Sequence, residues 1–598
     1  MDNVAGTAGN DTITGVVDVA TAGGTLTAGD VVDGGAGTDT ANFVITTNAK
    51  WAAGATVKNV EILNFRNVSG ANDTLDLSNV AGATQLWSSG STGAKVLTLN
   101  NVQSNATLGV ANTTGADGLT VTFKDGTIGQ GGTLGLAFNA AGNKTAAGVI
   151  TRVVDTVGHV GAANAATDVT LALTATGANY AKFTDGANSI GGLKTITVGG
   201  AGSLDIIDTG TEFDNVVTVN ASSNTGGFTI DLGANNKDVT FTGGSGNDTL
   251  TLPNFNATDS IDGGAGNDTL NVSLANVLAF TKAAPVKNVE TLGITLGAQL
   301  AANQTVNGDF FGISNVTIND GPDLNAKVLS LSNLANGANV TFKASSATTA
   351  GTISVDVKGA VAGTNESATL TFGKAVDFTT NAVTINAAGL ETITLATATT
   401  SGAGAKVKAI ADAQLTTLKF TGSDGITITD ALAAGAIKTV DASGVVKDTA
   451  GAVGGVSVSL ANSTTAVTFT GGQGADTYTA SAKGDTITGG LGTDTITLGA
   501  GADKLVYTAA AESDGTIAKD VIGSFATTGD SIQFAAALQK GTAAYIGAAA
   551  FTNTGSTQLR MNNADLEVDL NGDGTLDMAI TLTGVSAASF GAANFSFA

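Results

Sequence analysis

Apolar and polar residues alternate in short bursts along most of this chain. Segments such as TITVGG (195–200), VTFTGG (239–244) and ETITLA (391–396) set Val, Ile, Leu or Phe at every second position among Thr, Ser and Asn. A period of two with β-branched enrichment predicts short strands that turn one face inward. Helical periods are scarce. AAAFTN (548–553) and AGAIKTV (434–440) amount to single turns at most.

Between the strands lie glycine-rich stretches with a second, longer rhythm. From 471 to 507 the chain reads GGQGADTYTASAKGDTITGGLGTDTITLGAGADKLVY, with an aspartate every nine residues at Asp476, Asp485, Asp494 and Asp503. Glycine weakens helices and strand interiors, so this pattern predicts alternating turns and short strands, wound so that each coil stacks on its neighbour. Turns alternate sides. Coils on one side are therefore 18 residues apart, which pairs the Asp476 turn with the Asp494 turn and Asp485 with Asp503. Tyr478, Ile487, Ile496 and Leu505 take the inward slot.

The motif Gly-Gly-x-Gly-x-Asp recurs at 34–39, 243–248, 263–268, 471–476 and 489–494, with degenerate copies ending at Asp11, Asp485 and Asp503. Longer units repeat too. GDVVDGGAGTDTANF (29–43) aligns with TDSIDGGAGNDTLNV (258–272), so Asp30, Asp33 and Asp39 match Asp259, Asp262 and Asp268. VKNVEILNF (57–65) and VKNVETLGI (286–294) follow in turn, and AGLETITLA (388–396) echoes them. Self-similarity on this scale predicts an all-β fold, an elongated β-solenoid of the parallel β-helix or β-roll kind. The repeats divide the chain into a first array (1–240), a junction rich in glycine and aspartate (241–272), a second array (273–466), a nonapeptide roll (467–510) and a C-terminal cap (511–598).

Composition narrows the chemistry. Among 598 residues there are 82 glycines, three prolines and no cysteine, and the formal net charge is −24. A strongly acidic chain is a poor partner for nucleic acid or anionic membrane surfaces, and without cysteine neither disulfides nor thiolate metal sites form. No apolar run is long enough to span a bilayer, and residues 1–30 lack the basic and apolar regions of a cleaved signal peptide. Surplus carboxylates suit calcium, a hard cation that takes oxygen ligands. In each turn the glycines let carbonyl oxygens point inward and the aspartate completes an oxygen cage. The candidate ligands are Asp11; Asp30, Asp33, Gly35, Gly37 and Asp39; Gly244, Gly246 and Asp248; Asp259, Asp262, Gly264, Gly266 and Asp268; Gly472, Gly474 and Asp476; Asp485; Gly490, Gly492 and Asp494; and Gly501 and Asp503.

A second signature lies at 569–577, DLNGDGTLD. It sets Asp569, Asn571, Asp573 and Asp577 at positions 1, 3, 5 and 9 of an EF-hand-like loop, with Gly574 at position 6. Ile580 stands at position 12, where such loops carry glutamate, so water or another segment would complete this calcium site.

At these residues the chain resembles RTX proteins, which leave Gram-negative bacteria by type I secretion and fold on extracellular calcium. KDVIGSFATTGDSIQF (519–534) is similar to the segment after the β-roll in RTX proteins of the serralysin type, a resemblance that implies an uncleaved secretion signal at the C-terminus, here AASFGAANFSFA. The order GTAGNDTITG, GDVVDGGAGTDTANF, VKNVEILNF, and then VTFTGGSGNDT, GGAGNDTLNV, VKNVETLGI, IKTVDASG and TFTGGQGADTYTA is similar to the lattice-forming region of surface-layer (S-layer) proteins of the Caulobacter type, over most of the chain. The resemblance implies a secreted, cell-surface protein whose partner is itself, in a two-dimensional lattice. That family attaches to lipopolysaccharide through an N-terminal domain that nothing here matches. Either Met1 begins a truncated chain, or another molecule does the anchoring. An RTX adhesin or biofilm matrix protein is the alternative, and a polysaccharide-modifying β-helix enzyme a more distant one. The only histidine, His159 in DTVGHVGAAN, reads as an exposed loop residue, no HExxH motif exists, and no enzyme is expected.

Overall fold

A computed structural model of the chain describes residues 2–18, 24–47, 50–92, 95–113, 118–124, 127, 132–142, 149–155, 169–183, 193–208, 213–321, 324–343, 350–360, 365–373, 376–377, 383–397, 404–432, 435–448, 450–515 and 519–598. His159 lies outside them. The chain folds as a parallel β-solenoid in two compact units, Met1–Leu292 and Gly293–Ala598.

In the first unit, one parallel ladder begins Thr12–Asp18, Thr40–Thr47, Ile62–Asn67 and Gln85–Ser89, and ends Thr240–Thr242, Ser260–Asp262 and Val286–Lys287. A second runs from Asp73–Asp76 through Val96–Val102 to Thr249–Thr251 and Thr269–Ser273. Parallel neighbours keep the pleat in phase, so like stacks on like: Phe241 opposes Ile261, and Leu250 opposes Leu270. The alternation read from the sequence becomes burial, with inward Phe43, Phe65, Leu250 and Leu270 at most 2 % exposed. Phe43 and Phe65 stack with centroids 5.8 Å apart, one coil above the other.

In the second unit the same construction tightens at the nonapeptides. Thr468–Thr470, Thr486–Thr488 and Lys504–Tyr507 form one face, and Thr477–Thr479 and Thr495–Thr497 form another. The pairings Thr468↔Thr486 and Thr477↔Thr495 give the expected 18-residue coil. Tyr478, Ile487, Ile496 and Leu505 fill the inward slot and are at most 1 % exposed, with Tyr478 stacked 4.2 Å from Phe469. Past the roll the pattern changes. Asp520–Gly523 pairs in parallel with Met578–Leu582, which turns antiparallel to Asp565–Asp569, itself antiparallel to Gln558–Asn562. This meander, together with Phe595–Phe597 on Ser531–Phe534, covers strand edges that parallel coils leave open to pairing.

Candidate metal centre: the carboxylate ladders

The repeated aspartates do not stand side by side in the turns. They stack along the coil axis, each accepting the main-chain N–H of its counterpart one coil earlier. Asp39 Oδ1 accepts from Asp11 N–H at 2.7 Å, and Asp268 Oδ1 accepts from Asp248 N–H at 2.7 Å. In the roll, Asp494 Oδ1 accepts from Asp476 N–H at 2.8 Å and Asp503 Oδ1 accepts from Asp485 N–H at 2.7 Å. The pairs at 476/494 and 485/503 are those the 18-residue coil predicts.

The ladders run further than the motif does. Glu61 Oε2 accepts from Asp39 N–H at 2.8 Å, and Glu290 Oε2 from Asp268 N–H at 2.7 Å. Asp520 and Asp530 do the same for Asp494 and Asp503, both at 2.9 Å. None of these four belongs to a Gly-Gly-x-Gly-x-Asp unit. The signal was there in the recurrence of VKNVE, but only coil stacking reveals which residue comes next in the ladder.

The second carboxylate oxygen separates two kinds of turn. In Asp11, Asp248 and Asp476, Oδ2 accepts a main-chain N–H from its own turn: Thr7 at 2.6 Å, Gly244 at 2.6 Å and Gly472 at 2.7 Å. In Asp39, Asp268 and Asp494, one coil later, Oδ2 is buried and has no hydrogen-bond partner. The difference lies in the backbone. Gly35, Gly264 and Gly490 adopt φ of 95°, 96° and 93°, and Gly37, Gly266 and Gly492 adopt 127°, 134° and 124°, which side chains other than glycine rarely tolerate. Asp485 and Asp503 keep amide donors on Oδ2, from Ser481 at 2.7 Å and Gly499 at 3.2 Å.

Oxygens gather where the first glycine of each motif lacks a side chain. A Cβ at Gly243 would overlap the Gly263 carbonyl oxygen and stand 2.5 Å from Asp248 Oδ2. At Gly471 it would overlap the Gly489 carbonyl oxygen and stand 2.5 Å from Asp476 Oδ2. Asp248 and Asp476 still share their Oδ2 with an amide, whereas the bare Oδ2 of Asp39, Asp268 and Asp494, together with inward carbonyls, makes a donor set for a hard cation. Among the described residues no three Asp, Glu, His or Cys side chains surround one point, so carbonyl oxygens must supply part of any such shell.

Burial leaves these carboxyls costly to ionise. It pushes Asp268 and Asp476 up to about 6 and Asp520 to about 7; in Asp494, burial with Asp520, Asp476 and Glu512 nearby raises it to about 9. Asp248, Asp259 and Asp503 are raised by burial as well. At neutral pH such a stack needs protons or a cation.

Other predicted ligands sit differently. Asp30 and Asp259 occupy matching turns away from the ladder, each accepting two main-chain N–H groups, from Asp2 and Thr27 or from Val239 and Asn256. Asp33 and Asp262 pair with Lys58 and Lys287, both at 2.8 Å, and accept from the Asn59 and Asn288 side chains, so a lysine already supplies their counter-charge. In the 569–577 loop, Asp569 takes the N–H of Gly572 and Gly574, Asp577 those of Leu570 and Asn571, and Asp573 that of Thr575. Amides of the loop itself close this turn, and Asn571 accepts from Asp573 N–H.

Comparison with known families meets this geometry. Residues 1–15, 234–252 and 256–274 match the RTX calcium-binding nonapeptide repeat. These turns are RTX calcium-binding repeats. Residues 433–592 match the C-terminal region of the M10 serralysin peptidases, which is the non-catalytic part of those proteins. A search of curated proteins returns no match. The cofactor is therefore calcium, and the two matches together support a secreted RTX protein of the type I kind. Calcium supplies positive charge to the stacked carboxylates and a partner to inward carbonyls; Asp39, Asp268 and Asp494 are the residues whose bare oxygens would hold it.

Proposed function

We propose that this protein is a calcium-dependent structural protein of the bacterial cell surface that self-assembles into an S-layer lattice. The observation that carries the reading is the order of the repeat units, two Asp30/Asp259-type units each followed by VKNVE and then the nonapeptide roll, which is similar to the lattice-forming region of RTX-type S-layer proteins over most of the chain. Two features support it. The outward strand positions are mainly Thr, Ser and Asn, and among the described residues large exposed hydrophobics are few and scattered: Val4, Val446, Leu491 and Leu576. Contacts between copies would therefore be polar and weak individually, and a symmetric sheet multiplies weak contacts. The second feature is charge, since a chain of net charge −24 approaches another copy of itself only when cations neutralise the facing surfaces.

Negative-stain electron microscopy of the purified chain in millimolar calcium tests this. Periodic sheets are expected, dispersing when calcium is chelated. Single particles at every calcium concentration would contradict it.

A further inference from the structure

We infer that the coil bearing VKNVE is a calcium-ligating element in its own right, which closes a site that the preceding Gly-Gly-x-Gly-x-Asp turn leaves open. The inference rests on the calcium reading of the turns and adds residues that no nonapeptide motif contains: Asn59 and Glu61, and their counterparts Asn288 and Glu290.

Three observations converge, each made twice. The first is the bare oxygen: Oδ2 of Asp39 and of Asp268 is buried without a hydrogen-bond partner. The second is a carbonyl placed against it. In a regular pair of turns the carbonyl of the next coil's first glycine fills the empty Cβ space, as Gly263 does at Gly243. At Gly34 that space is taken by the Asn59 carbonyl oxygen, and at Gly263 by the Asn288 carbonyl oxygen, with the bare Asp39 or Asp268 oxygen 2.6 Å from the same point. Asparagine thus replaces glycine as the carbonyl donor. It can do so because it tolerates the left-handed region, and Asn59 and Asn288 adopt φ of 53° and 52°. The third is a second carboxylate: Glu61 and Glu290 lie next in the ladder, fixed by the N–H of Asp39 and Asp268.

The remaining residues of the motif hold this arrangement in place. The Asn59 side chain donates to Asp33 Oδ1 at 2.8 Å while Lys58 pairs with Asp33 Oδ2 at 2.8 Å, and Asn288 and Lys287 repeat both contacts on Asp262. Asp33 and Asp262 act here as positioning residues that lock the asparagine, with their charge answered by lysine. Asp39 with Glu61, or Asp268 with Glu290, would bring two negative charges, matched to a divalent ion, and the carbonyl would add a neutral oxygen of the kind calcium accepts. AGLETITLA offers a comparison, since Glu391 accepts the N–H of Glu366 without a Gly-Gly-x-Gly-x-Asp turn before it.

The test is the number of calcium ions bound per full-length chain, by titration calorimetry with calcium alone. Glu61→Gln and Glu290→Gln keep an oxygen for the Asp39 or Asp268 amide and remove only the charge. Each should bind one calcium fewer than the unaltered chain, and the double variant two fewer. Glu391→Gln, outside the site, should retain the full number. Full calcium binding at unaltered affinity in both glutamine variants would overturn the inference and leave the calcium reading of the turns intact. An unaltered chain that bound no calcium would overturn that reading instead. Should the variants fail to fold, amide hydrogen exchange on the unaltered chain decides: calcium should protect residues 57–61 and 286–290, and protection confined to the nonapeptide roll would refute the site.

Discussion

Glycine at the second motif position is a steric requirement. At Gly264, φ is 96° and a Cβ would overlap the Gly244 carbonyl oxygen of the previous coil. Gly264→Ala should therefore cost about 2–3 kcal/mol in calcium, from backbone strain and a displaced carbonyl together. Gly297, with φ of 69° and nothing within 4 Å of its Cβ position, is the control; alanine there should cost about 1 kcal/mol. Thermal denaturation in calcium checks both, and equal losses would contradict the cradle. The aspartates make a prediction about pH. Their folded values of about 6 for Asp268 and Asp476, 7 for Asp520 and 9 for Asp494 exceed the ordinary 3.8. Between pH 4 and 9 the metal-free folded chain thus binds more protons than the unfolded chain, so its stability falls as pH rises. In chelator, strand signal should be stronger at pH 5 than at pH 8. With calcium the order should reverse, because protons then compete for the same oxygens.

At the scale of the element, each short strand contributes one inward side chain to a stack. Ile487, fully buried, lies in register between Phe469 and Leu505. Ile487→Ala removes a filled layer and should cost about 2–5 kcal/mol in calcium, read from denaturant unfolding; a loss below about 1 kcal/mol would mean the coils collapse around the gap. The strands, the coil length of the roll and the match of Asp30, Asp33 and Asp39 to Asp259, Asp262 and Asp268 were legible because alternation and a fixed repeat encode them locally. The continuation of the ladders was not. Asp11 and Asp39 are 28 residues apart, Asp39 and Glu61 22, Asp248 and Asp268 20, and Asp494 and Asp520 26, so no single period finds the next rung. Nor does the sequence distinguish Asp248 from Asp268. The motif is the same, and only the sign of φ at Gly244 or Gly264 decides whether an amide or a bare space faces the carboxylate.

For the molecule as a whole, the charge that limits association also governs folding. Asp39, Asp248, Asp268 and Asp569 are at most 2 % exposed, so their carboxylates cannot bridge to another copy. In the lattice we propose, contacts between copies would fall to exposed groups such as Asp573, and calcium there would be additional to calcium inside the ladders. The buried carboxylates carry the central claim, that calcium completes the fold by filling the gaps left at Asp39, Asp268 and Asp494. Extracellular calcium sites commonly bind at about 10⁻⁴–10⁻³ M, well above free calcium inside cells, which would keep the chain loose until it is outside. The most direct measurement is far-ultraviolet circular dichroism of the full chain at pH 7.5, titrated with calcium from a chelated start. Strand signal should rise steeply in the submillimolar to millimolar range and vanish again in chelator. Equal strand signal with and without calcium would contradict the account.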